Sequence, residues 1–142
     1  MGLGMARMLA ASGAQVVLAD VDPAACEAAA SAIRSSGGSA TAVGLDVCDA
    51  AAFESRFAAA WDEHDGIDLL FNNAGVAAPS ANVWETTVND WKWVHGVNVM
   101  GVIHGIQAFV PRMIAGGEEG HVINTSSGDG GISPLPYQSF GV

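Results

Sequence analysis

Positive charge is scarce in this sequence. Five lysines and arginines stand against fifteen aspartates and glutamates, the formal net charge is −10, and Lys92 is the only lysine. So few cations cannot assemble a basic patch, so neither a nucleic-acid backbone nor an anionic membrane surface is an expected partner. Tyrosine occurs once, as Tyr137. Cysteine occurs twice, as Cys26 and Cys48, without C-x-x-C spacing and in alanine-rich surroundings; small buried thiols in a reducing compartment fit better than a disulfide. The four histidines, at positions 64, 95, 104 and 121, show no i, i+4 or H-E-x-x-H spacing, so no metal site is expected. No positive charge precedes the apolar start, since Arg7 lies inside the run, and Ala6 stands where myristoylation asks for serine or threonine. The expectation is a soluble, cytoplasmic protein.

Half of the residues are hydrophobic and 14% are charged, a balance that can drive a packed core. A chain of 142 residues is one domain's worth and can bury roughly two thirds of its unfolded surface. Apolar spacing predicts a helix over 3–9, stopped by Gly13, then a β-branched strand over 14–20. Pro23 opens a helix over 23–34 that ends at Ser35, Ser36, Gly37 and Gly38. A second strand over 39–47 precedes an Asp49-capped helix with Phe53, Phe57 and Trp61 on one face. Strands over 67–72 and 121–126 flank one long helical stretch from about 89 to 115. Strands alternating with helices call for right-handed crossovers and a doubly wound, parallel α/β sheet with helices on both faces. No linker, repeat or low-complexity tract interrupts residues 1–142, which read as a single domain whose opening helix has no strand before it.

Several short motifs fall at turn positions. G-L-G-M-A (2–6) offers two glycines at a helix start, where backbone N–H groups can approach a pyrophosphate. Gly2 and Gly4 fit a close-packed helix start equally well. Asp20 ends the strand after that helix, where a carboxylate can accept ribose hydroxyls; an ordinary turn aspartate is the plainer reading. Val21 and Asp22 follow with no cation for a 2′-phosphate, so a dinucleotide bound here should be NAD. L-D-V (45–47) and N-N-A-G (72–75) close the next two strands, and each alone is a common turn. Together they mark three successive strand ends, the side of such a sheet where ligands bind. Asn98 is intrinsically unfavourable inside a helix, which argues that it has a use there. Trp84, Trp91 and Trp93 read either as core or as the floor of a substrate pocket.

The set G-L-G, A-D-V-D, L-D-V, N-N-A-G, V-N-V-M-G and V-I-N-T-S-S resembles the short-chain dehydrogenase/reductases, NAD(P)-dependent oxidoreductases of Rossmann-type fold, over the whole chain. The resemblance implies that Gly2 is the last glycine of a T-G-x-x-x-G-x-G loop and that Asp20 binds the adenosine ribose. It further implies that Asp46 and Val47 flank the adenine, and that Asn72, Ala74 and Gly75 line the cofactor cleft. Asn98 would hold a proton-relay water, and Ser127 would steady the substrate carbonyl, its alternative being a helix cap shared with Ser126. The substrate class implied is an alcohol or ketone. Homo-oligomerisation through the helix around 98–115 is implied for a full-length form.

The same resemblance calls for a tyrosine in Y-x-x-x-K as general acid/base, its pKa lowered from about 10 by the lysine. Tyr137 would put Gly141 at the lysine position, whereas counting from Ser127 reaches Phe140, and S-F-G-V reads as the family's S-Y-G-V with the hydroxyl gone. Phe140 therefore occupies the acid/base place and Tyr137 reads as a loop residue. By this likeness the domain is incomplete at both ends, lacking its first strand and its C-terminal part. Three readings follow: an oxidoreductase present as a fragment, a non-catalytic dinucleotide-binding or interaction protein, and a non-functional gene remnant.

Overall fold

The computed structural model describes residues 1–78 and 80–127. Its elements run in the order α1 (Gly2–Ala11), β1 (Gln15–Asp20), α2 (Pro23–Ser35), β2 (Ser39–Gly44), α3 (Ala50–His64), β3 (Leu69–Asn72), α4 (Val88–His95), a π-helical segment (Gly96–Met100), α5 (Gly101–Gly116) and β4 (His121–Asn124). They cluster into two compact units, Met1–Gly66 and Ile67–Val142.

In the first unit β1 and β2 pair in parallel, with Gln15 opposite Ser39 and Asp20 opposite Gly44. The helices covering them are rich in alanine, and that composition sets the packing. Ala6 and Ala10 of α1, Ala30 and Ile33 of α2 and Ala40 of β2 form a buried cluster, with Val16, Leu18 and Ala42 packed against it. Small side chains let the helix backbones come close to the sheet, and close packing substitutes for bulk. The breaks are local: Asp22 caps α2 through Ala24 and Ala25 N–H, Pro23 takes the first helical position, and Gly13 and Gly37 turn the chain after α1 and α2 at φ +92° and +87°. Asp49 caps α3 through Ala52 N–H. The expected apolar face of α3 buries Phe53, with the Phe57 ring 4.4 Å away and half-buried, as is Trp61.

In the second unit β3 and β4 pair in parallel from Leu69 opposite His121 to Asn72 opposite Asn124. The helical stretch expected over 89–115 is not uniform. Between Gly96 and Gly101 the N–H of Gly101 reaches back five residues to the carbonyl of Gly96, a widened turn inserted between α4 and α5. Two glycines with low helix propensity flank a central asparagine whose side chain bonds elsewhere, so the tighter α-helical turn has little to hold it. Val97, Gly101, Gly105 and Phe109, spaced four apart, form a buried stripe, and α5 lies against β3. Taken as one stretch, Val88–Gly116 is by length and composition long and apolar enough to cross a membrane.

The strands are shorter than their apolar runs. β2 stops at Gly44, because Asp46 turns the chain by accepting the Cys48 N–H, and β4 stops at Asn124, with one further backbone bond from the Thr125 N–H to the Asn72 carbonyl. Cys26 is buried as expected; Cys48 is exposed, contrary to expectation, because it lies on the loop made by that early turn.

Candidate functional site

The residues singled out above fall in two groups, one in each unit. In the first unit Gly2 is the opening residue of α1, a helix with no side-chain cap, and a Cβ added to Gly4 would meet nothing within 4 Å. A helix start with glycine at two positions is the kind that can accept an anion.

Asp20 ends β1 and is exposed. Its Oδ1 accepts the Asp22 N–H at 3.0 Å, and its backbone carbonyl accepts the Leu45 N–H at 2.9 Å, one step past the last rung of the ladder. That bond brings the chain leaving β2 alongside the end of β1, so Asp20 and the Asp46 loop issue from the same edge of the sheet. Asp46 Oδ1 accepts the Cys48 N–H at 2.9 Å, and Val47 between them is half-buried. A cleft of about 500 Å³ runs from Val21, Gly44 and Asp46 to Arg56, Glu63 and His64 of α3. Burial pushes the Cys48 thiol above its ordinary value, and the hydrogen bond and negative charge of Asp46 push it the same way.

In the second unit the loops that follow β3 and β4 are tied to each other. Asn72 Nδ2 donates to Asn124 Oδ1 at 2.9 Å across the strand pair. Beyond the last rung, Thr125 N–H donates to the Asn72 carbonyl at 2.9 Å and the Thr125 hydroxyl donates to Asn73 Oδ1 at 3.2 Å. Ser126 and Ser127 follow at once and are exposed, as are Ala74 and Gly75 on the neighbouring loop. Asn98, in the π-helical segment, takes Val76 by both backbone groups: the Val76 N–H donates to Oδ1 and Nδ2 donates to the Val76 carbonyl, each at 2.9 Å. A Cβ on Gly75 would stand 3.6 Å from the same Oδ1. The turn before α4 is fixed too, by Asn82 donating to Glu85, by the Thr86 hydroxyl donating to the Val83 carbonyl and by Trp91 Nε1 donating to Thr86. It leaves Trp84 81% exposed, while Trp91 is half-buried against the turn.

Asn72, Ala74, Gly75, Asn98 and Ser127 thus all belong to the second unit, and Gly2, Asp20, Asp46 and Val47 to the first. Tyr137 and Phe140 lie outside the described residues. Sequence reasoning passed over Val76 and Gly105, and took Asn124 and Thr125 into the V-I-N-T-S-S motif without giving either a role. Gly105 was the findable one, since glycine in the middle of an apolar helical run signals a close neighbour.

Parallel strands and their covering helices define an α/β protein, with Asp20 and the Asp46 loop at strand ends of the first unit and N-N-A-G and T-S-S at strand ends of the second. A sequence profile described as short chain dehydrogenase matches residues 1–139. The chain belongs to that family, and its fold is the Rossmann-type α/β one. It is 39% identical over 131 residues to a C alpha-dehydrogenase of Sphingobium sp. strain SYK-6, covering 89% of this chain and 41% of that protein. Among solved structures it is similar to a short-chain dehydrogenase/reductase from Burkholderia phymatum in complex with NAD, with a TM-score of 0.88 and 40% identity over 96% of this chain and 48% of that one. It is similar also to a metagenomic short-chain oxidoreductase in complex with NADP, with a TM-score of 0.84 and 32% identity over 89% and 57%. The chain therefore spans about half the length of these proteins.

Proposed function

We propose that residues 1–142 are an incomplete NAD(P)-binding domain of an oxidoreductase that moves a hydride between a nicotinamide cofactor and an alcohol or ketone. The observation that carries this reading is the locking of the N-N-A-G and T-S-S segments to one another through Asn72, Asn124 and Thr125, with Asn98 clamping the chain one residue past Gly75. Relatives with NAD and NADP bound support the cofactor class.

The residues present fit a dinucleotide. The pyrophosphate would lie against the bare start of α1 at Gly2, where the open space at Gly4 admits it. Asp20 has committed Oδ1 to its own turn, which leaves Oδ2 for a ribose hydroxyl. Asp46 and Val47 of the first unit would flank the adenine, and Asn72, Ala74 and Gly75 of the second unit would meet the cofactor without bulk. A bound nicotinamide ring supplies the hydride donor or acceptor. Ser127 holds the substrate oxygen by a hydrogen bond, and Asn98 is assigned the relay water. The exposed apolar residues Trp93, Met100, Ile103, Ile106 and Ile114 of α4 to α5 support self-association of a full-length form.

NAD is the preferred cofactor on this reading, because a 2′-phosphate would meet the carboxylates of Asp20 and Asp22, and no arginine or lysine directly follows them in the sequence. Calorimetric titration of the chain with NAD and NADP tests it. Tighter NADP binding overturns the preference, and binding of neither overturns the dinucleotide reading.

Phe140 favours a second reading, a dinucleotide-binding protein without turnover. Loss of a general acid/base costs about 10²- to 10⁴-fold in rate. NAD-linked turnover of Phe140→Tyr against the parent, both in a full-length form, decides: a gain on that scale supports the oxidoreductase, and no gain supports the binding protein.

A further inference from the structure

Helix α5 passes the end of β3 on a glycine. Gly105 is buried in the middle of α5, and a Cβ there would overlap Oδ1 of Asn72 outright while standing 3.1 Å from its Cγ and 3.3 Å from its Nδ2. Nothing in the helix itself asks for glycine. The position has no positive φ, and glycine in a helix interior costs about 1 kcal/mol relative to alanine. The requirement comes from the neighbour. Asn72 is held on one side by the backbone of α5 and on the other by Asn124, its register partner, to which Nδ2 donates. A side chain at 105 has to displace either the helix or the Asn72 amide, and turning that amide about its own bonds draws Nδ2 away from Asn124.

We propose that Gly105 is a positioning residue for the candidate site. By seating the helix backbone directly on the Asn72 amide, it selects the rotamer that joins Asn72 to Asn124. That rotamer holds the N-N-A-G and T-S-S segments at one spacing. The contact stands on geometry alone; what the spacing serves rests on the oxidoreductase reading above. Val97, Gly101 and Phe109 share the buried stripe, but Gly105 is the position where the helix meets a polar side chain of the motif.

The test uses the whole 142-residue chain, ¹⁵N-labelled and free of cofactor, as the parent and as Gly105→Ala, Asn72→Ala, the double variant and Gly120→Ala. Gly120 is the control: a Cβ there would press on Met113 Cε at 2.6 Å and stand 3.2 Å from the Asp68 carbonyl, at the opposite end of the strand pair from the motif ends. Gly105→Ala is expected to move the Asn72 side-chain amide resonances. It should also speed exchange of the Thr125 N–H by about tenfold, the upper scale of one hydrogen bond. Gly120→Ala should do neither. The loss in urea midpoint from Gly105→Ala should shrink to less than half when Asn72 is already alanine, because the obstructing amide is gone. Unmoved Asn72 resonances, or midpoint losses that add, overturn the proposal. If Gly105→Ala does not fold, the double variant decides, since a double that folds supports it and a double that does not overturns it. NADH titration separates the two readings: affinity is expected to fall about tenfold in Gly105→Ala and to hold in Gly120→Ala. A parent that binds no NADH sinks the oxidoreductase reading and leaves the resonances and midpoints to judge Gly105.

Discussion

Asn98 grips Val76 as a strand would, accepting its N–H and donating to its carbonyl, both at 2.9 Å, across 22 residues of sequence. A side-chain amide reproduces a two-bond backbone rung because it carries one acceptor and two donors on a flat group. The residue sits where the helix has widened to a π turn, so the amide leaves the helix instead of competing with its backbone. Asparagine in a helix interior is costly by propensity, and here the cost secures the loop leaving β3.

Asn98→Ala removes both bonds and leaves the half-buried Val76 groups without partners. A loss of about 1–3 kcal/mol in stability is expected from urea unfolding, with faster exchange at the Val76 amide. Asn98→Asp keeps the acceptor but sets a carboxylate oxygen against the Val76 carbonyl, so it should recover less than half of that loss. A midpoint unchanged by Asn98→Ala would refute the clamp.

The buried cluster between α1, α2 and β2 of the first unit is built largely on alanine. Ala30 is 0% exposed, in a cluster with Ala6, Ala10, Ile33 and Ala40. Ala30→Leu has to push α2 off the sheet and should cost about 1–3 kcal/mol. A stabilised Ala30→Leu in thermal melts would show that the cluster contains space the packing does not suggest.

Thr87 and Asp90 close the start of α4 reciprocally. The Thr87 hydroxyl and N–H donate to Asp90 Oδ2 at 2.7 and 2.8 Å, and the Asp90 N–H donates to the Thr87 oxygen at 3.2 Å. The Thr87 side-chain bond first, then its backbone bond, hold the Asp90 carboxyl below its ordinary value of 3.8. A depressed folded pKa adds stability above the unfolded value and loses it as pH falls through the folded one. The stability gap between parent and Thr87→Val should therefore be full near neutral pH and shrink below 3.8. A gap constant down to about pH 2 in acid unfolding curves would argue against the box.

The two thiols should separate cleanly in alkylation. Cys26 is buried with its Sγ–H donating to the Leu18 carbonyl at 3.2 Å, and Cys48 is exposed beside Asp46. Both pKa values are raised above 9.0, by burial in the first place, so neither is a ready thiolate at neutral pH. Peptide mass spectrometry after iodoacetamide treatment should find Cys48 modified slowly and Cys26 only on unfolding. Asp46→Asn should quicken Cys48 by removing a negative charge that disfavours the thiolate. Equal labelling of both cysteines in the folded chain would contradict this arrangement.

The strand ends at Asp20 and Asn72 were legible because a β-branched or apolar run stops where an aspartate or asparagine begins to turn the chain. Asp49 and Pro23 were legible as helix starts for the same local reason, although the N-cap of α2 proved to be Asp22, one residue earlier. The end of β2 was misjudged: L-D-V continues the apolar run, yet the Asp46 carboxylate turns the backbone at Cys48. The break in the long helix was not legible in apolar spacing, since valines and isoleucines continue unbroken through the π turn. Of the candidate site, the motif residues were readable and their partners were not.

The amino-acid sequence by itself determined the alternation of strands and helices, the caps and stops, and the motifs at the strand ends. Each depends on a side chain reaching a backbone group a few residues away, or on the spacing of apolar residues along one element. Tertiary structure alone decided that Asn98 holds Val76, that Asn72 meets Asn124 across 52 residues, and that a Cβ on Gly105 would run into the Asn72 amide. Those contacts require two elements to arrive within hydrogen-bond or van der Waals distance. That distance is set by how α5 packs on β3 and how β3 pairs with β4, which no single stretch of the chain specifies.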